Sequence, residues 1–170
     1  MRLFDKFTGT RRPPSGMAAY PAEDVRAALL ALNQPHVPFL VRGGAAEGVD
    51  VVAEWRILEP AWQTLFGRSQ VHHALQVLMR FDAVNSEVHS MDRQWVVNWF
   101  GGTPRLTLSS QYTKGQVRKS ASRRWTIERK GKLGFKATET FRYSASDLKR
   151  PLQNAVLAHG WTWRGVPLKS

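Results

Sequence analysis

Apolar and polar positions alternate most clearly between residues 49 and 57. Val49, Val51, Ala53, Trp55 and Ile57 share one parity, with Asp50, Glu54 and Arg56 between them. A period of two places one set on a buried face and predicts a half-buried strand. The same alternation recurs in Leu75, Val77, Met79 and Phe81 against Gln76, Arg80 and Asp82, and in Trp95, Val97 and Trp99 against Gln94 and Asn98. Leu106, Leu108 and Tyr112 begin a further strand, Trp125 and Ile127 mark another, and Leu133, Phe135, Ala137, Phe141 and Tyr143 a last long one. "PFLVRGG" predicts a short strand before the Gly/Ala stretch 43–48, and "WTWRGV" a closing strand. The segment 82–92, "DAVNSEVHSMD", is rich in turn formers and predicts turns with a short strand near Val88.

Helical spacing appears in three places. Val25, Ala28, Leu29 and Leu32 follow i, i+3, i+4, i+7 after Pro21, with Glu23 and Asp24 at the positive end of the dipole. Trp62, Leu65 and Phe66 follow Pro60 and precede Gly67. Leu148, Leu152, Ala155 and Val156 form a stripe whose N-cap is expected at Ser146–Asp147, with Pro151 in the first turn and Gly160 as the stop.

These elements predict an α+β fold. A curved antiparallel sheet of about six to eight strands carries a C-terminal helix packed on it, with one N-terminal helix and one short helix between early strands. Residues 19–170 are expected to form this single domain. Residues 1–18 read as an amphipathic segment, Leu3, Phe4 and Phe7, followed by a Pro/Gly linker, "TGTRRPPSG". In element order the chain resembles the helix-grip arrangement of START-type lipid-binding domains, and secondly a pleckstrin-homology-like barrel. The first resemblance implies a carrier of an apolar small molecule, with a cavity between sheet and helix lined by residues such as Trp95, Trp99, Phe135 and Leu152.

Charge changes the picture. The net charge is +12. Residues 1–113 contribute 11 Lys/Arg against 10 Asp/Glu; residues 114–170 contribute 14 against three, Glu128, Glu139 and Asp147. Such asymmetry points to an anionic macromolecule, DNA or RNA first, with an anionic membrane or an acidic protein as alternatives. The densest stretch is Tyr112–Lys132, "YTKGQVRKSASRRWTIERKGK". A three-residue hairpin loop at Lys130-Gly131-Lys132 would set Ile127 opposite Phe135, Trp125 opposite Ala137 and Arg123 opposite Glu139. That register assigns Arg123 to an ion pair within the fold. It leaves Lys114, Arg118, Lys119, Arg124, Lys130, Lys132 and Lys136 as the candidate nucleic-acid footprint, with Thr126, Thr138, Thr140 and Arg142 beside Arg124. Hydroxyls between cations suit phosphate contacts without base readout. Trp161 and Trp163, near this basic third, are candidate stacking platforms.

Catalytic and metal chemistry find little support. There is no cysteine, no G-x-S-x-G elbow, no phosphate-binding glycine motif and no pair of carboxylates that stands out. His72-His73 lacks the i, i+2 spacing that puts two ligands on one strand face, and His36, His89 and His159 show no ligand spacing. No catalytic residue, metal or cofactor is assigned. The N-terminus lacks the apolar core of a signal peptide, and a cytoplasmic location is the expectation.

Overall fold

The computed structural model describes residues 9–69, 71–108, 123–128 and 138–167; the strands at 123–128 and 138–143 are described by their backbone pairing. The elements run α1 (Ala22–Leu30), β1 (Phe39–Gly43), a 3-10 turn (Ala45–Glu47), β2 (Val51–Trp55), α2 (Pro60–Arg68), β3 (His73–Asp82), β4 (Glu87–Phe100), β5 (Thr103–Leu108), β6 (Arg123–Glu128), β7 (Thr138–Tyr143), α3 (Ala145–Ala158) and β8 (Thr162–Gly165). The fold is α+β, as the pattern predicts. Strands β1 to β5 form an open antiparallel meander, β8 joins it in parallel with β4, and β6–β7 form a separate two-stranded ladder.

Register sorts the side chains between two faces. Val41, Ala53 and Val77 are cross-strand partners. They share a core with Val25 and Leu29 of α1 and Leu148, Leu152 and Val156 of α3. This is the helix face. On the other parity, Val52, Leu78 and Met91 form a second, smaller cluster. Central strand β3 is therefore buried on both faces, and Gln76, expected outward, is buried as well.

The turn-rich segment behaves differently from the expectation. One strand, β4, runs from Glu87 to Phe100 and pairs with β3 without a break. Asp82 absorbs the turn signal, its carboxylate accepting from Asn85 N at 3.1 Å and Asn85 Nδ2 at 2.8 Å. Ser86 then reverses the chain at φ 52°. Long β4 divides its far edge between two partners: Glu87–Ser90 with β8, Trp95–Phe100 with β5.

Helix α3 starts earlier than expected. Its N-cap is Ser144, whose Oγ accepts from Asp147 N at 3.3 Å. Pro151 consequently lies in the second turn rather than the first, where it withholds one backbone donor. Gly160 ends the helix at φ +74°. The chain before α1 straps across this end: Tyr20 N donates to His159 O, and Trp161 Nε1 to Tyr20 O at 2.7 Å. Within the stretch read as linker, Arg11 forms an antiparallel bridge with Trp163. Trp161 and Trp163 are 2% and 0% exposed, so both are core residues and neither is a stacking platform.

The register of β6 and β7 also differs. Arg123 lies opposite Tyr143, Trp125 opposite Phe141 and Ile127 opposite Glu139. The expected Arg123–Glu139 opposition is absent from the ladder. Residues 129–137, between the two strands, lie outside the described residues. An aromatic pair, Trp125 with Phe141, replaces the expected Trp125 with Ala137, which is the stronger cross-strand match. The shift is an even number of residues, so parity is unchanged.

Candidate functional site

Three places in the chain bring functional side chains together or concentrate charge. The first is the basic region. Lys114, Arg118, Lys119, Lys130, Lys132 and Lys136 lie outside the described residues. Arg124 falls in β6, where its Cα partner is Arg142. Thr126 and Thr140 are opposed two positions further on. Like charges directly opposed across a ladder are destabilising, and a two-stranded hairpin is marginal on its own. The register therefore places two arginine positions directly opposite each other.

The second place is a cleft of about 380 Å³ on the sheet face opposite α3. Leu40, Glu54 and Gln76 are successive partners across β1, β2 and β3 and lie in its wall, with Ala74, Trp95 and Leu106. A polar chain crosses four strands here. Trp95 Nε1 donates to Gln76 Oε1 at 3.2 Å, Gln76 Nε2 to Glu54 Oε2 at 2.8 Å, and Arg42 Nε to Glu54 Oε1 at 2.9 Å. Arg42 also holds Glu47 through Nη2 at 2.6 Å. Its hydrogen bonds to Glu47 and Glu54 raise the Arg42 pKa above the usual guanidinium value, and the bond from Arg42 lowers that of Glu47.

The cavity expected between sheet and helix does not assemble from its named residues. Leu152 is buried under α3, whereas Trp95 lines the cleft on the other face and Trp99 stacks near Gly67 and donates to Val71 O at 2.8 Å. Phe135 lies outside the described residues. Among the described residues, the helix face holds packed side chains and an ion pair between Lys149 and Asp92.

The third place was missed in the sequence. Asp82, Glu87 and His89 bring one potential ligand atom each within 4.8 Å of one another. Glu87 and His89 are i, i+2 on β4, and Asp82 is the strand partner of Glu87. The E-x-H spacing was visible, but His89 read as a turn residue. Arg164 donates to Glu87 Oε2 from Nε at 3.0 Å and Nη2 at 2.5 Å. That bond lowers the Glu87 pKa, and His89 lowers it further. A guanidinium already balances this carboxylate and would repel a metal ion, so the group is an ion-pair network.

Among the described residues, no helix is long and apolar enough to cross a membrane. Comparison with known proteins gives no matching family model, no matching curated protein and no matching solved structure.

Proposed function

We propose that this chain is a non-enzymatic binding protein whose basic third contacts a polyanion, most directly nucleic acid read through its backbone. The observation that carries the reading is the opposition of Arg124 and Arg142 across β6 and β7. Two guanidinium-bearing positions facing each other cost stability in the free protein, and a phosphate between them converts that cost into a contact. The neighbouring Thr126–Thr140 pair adds hydroxyl donors of the kind that join phosphate contacts. The excess of 14 Lys/Arg over three acids in residues 114–170 supplies the surrounding field. Counterion release would dominate the affinity and give little sequence choice. The test is binding of the full chain to DNA and RNA as a function of salt, with Arg124 and Arg142 replaced.

A further inference from the structure

The cleft beside Trp95 has a composition that narrows what it holds. Its floor is apolar, Leu40, Ala74 and Leu106, and the half-buried Trp95 offers an indole. Its volume of about 380 Å³ falls within the range of small-molecule sites. The charged groups in its wall are already matched. A guanidinium has five N–H donors, and Arg42 uses all five: Nε on Glu54 Oε1, Nη1 on Gly43 O and Glu47 Oε2, Nη2 on Glu47 Oε1 and Glu54 Oε2. Arg56 is similarly held by Glu59 and by the carbonyls of Gln34, Val37 and Phe39. Neither guanidinium is set to hook a phosphate or carboxylate.

Gln76 is different. Its amide carries two donors and two lone pairs. Trp95 takes one lone pair and Glu54 one donor. One N–H and one lone pair remain without a bond among the described residues, on a side chain whose position both partners fix. A pinned amide with a spare donor and acceptor, next to an aromatic face and between apolar walls, is complementary to a flat ring that carries a donor and an acceptor side by side.

We infer that this cleft binds a neutral heteroaromatic ring of the nucleobase type, held by Gln76 and by Trp95. The inference does not rest on the polyanion reading, because the cleft belongs to the six-stranded sheet and excludes charge as its selector. The test is titration of the full chain with free nucleosides, following the Trp95 indole N–H resonance, assigned through Trp95→Phe. Naphthalene serves as a control without an amide-like edge, and nucleoside monophosphates as charged controls. The expected result is a saturable shift with at least one nucleoside, little gain from the phosphate, and a weaker response to naphthalene. Gln76→Leu and Trp95→Ala should each weaken binding about tenfold, the scale of one lost stacking or edge contact. Leu106→Trp, which fills the cleft from a residue outside the polar chain, should abolish it while leaving the melting temperature near that of the parent protein. No nucleoside response at millimolar concentration, equal response to naphthalene, or undiminished binding in Leu106→Trp overturns the inference. Loss of salt-dependent polyanion binding would leave it standing.

Discussion

Lys149 Nζ, reaching down from α3, donates to Asp92 Oδ2 in the middle of β4, 57 positions earlier in the chain. The carboxylate is fully buried and the lysine side chain 9% exposed. Asp92 lies opposite Val77, so this pair pins the helix to the centre of the helix face. Removing one member takes this ion pair away from the other, which stays buried. Asp92→Leu or Lys149→Met should each lower unfolding stability by roughly 3–5 kcal/mol, and the double replacement Asp92→Leu/Lys149→Met by clearly less than the sum. Urea unfolding of the four proteins measures this. Additive losses would mean that the two groups do not depend on each other.

Asn33 closes the middle of the free edge of β1. Asn33 Oδ1 accepts from Val41 N at 2.6 Å, and its Nδ2 donates to Val41 O. The amide thus imitates a neighbouring strand. Asn33→Ala should cost about 1–3 kcal/mol by stranding two part-buried backbone groups, and should raise the tendency to self-associate through the exposed edge. Thermal melts and light scattering check both effects; an unchanged melt would show that water satisfies this edge equally well.

Gly160 leaves no space for a side chain. Its φ is +74°, and a Cβ there would come within 2.3 Å of Ala18 O. Gly160→Ala should therefore destabilise through backbone strain of roughly 1 kcal/mol and further through displacement of the strap over the helix end. Hydrogen exchange at Tyr20 N, which donates to His159 O, should accelerate. An unaltered exchange rate would mean that the strap is not held by this close approach.

Acid should weaken the β4–β8 junction. The guanidinium of Arg164 holds the Glu87 carboxyl below its ordinary range. A group whose folded pKa is depressed adds stability above its unfolded value and loses it as pH falls through the folded one. The stability difference between the parent protein and Glu87→Gln should thus be present near neutral pH, start to shrink as pH drops below about 4.3, and vanish further down. A difference independent of pH would show that the bond does not depend on ionised Glu87.

The elements themselves were legible because their periods are. The alternation at 49–57 gave β2, and the 3.6-residue stripe of Leu148, Leu152 and Val156 gave α3. What failed was partnership over distance. Ser86, Ser90 and Asp92 look like turn residues in sequence, yet Ser90 and Asp92 are buried in β4, because pairing with β3 satisfies their backbone and Lys149 accommodates the charge. The cleft could not be read because Arg42, Glu54, Gln76 and Trp95 come from four strands, and only the register makes them neighbours. The expected β6–β7 register followed from a three-residue loop at 130–132; the ladder instead sets Trp125 opposite Phe141. Of the seven cations in the candidate footprint, Arg124 alone lies within the described residues, and its opposition to Arg142 follows from that corrected register.

The central claim is tested most directly by the salt dependence of nucleic-acid binding. Fluorescence anisotropy with labelled single- and double-stranded DNA and RNA, from about 50 to 200 mM salt, should give an affinity that falls linearly on logarithmic axes and varies little with sequence. Arg124→Ala/Arg142→Ala should weaken binding and make the slope shallower by about two, one for each lost phosphate contact. Absence of binding to any of these nucleic acids at the lowest salt, or a slope unchanged in the double variant, would contradict the account.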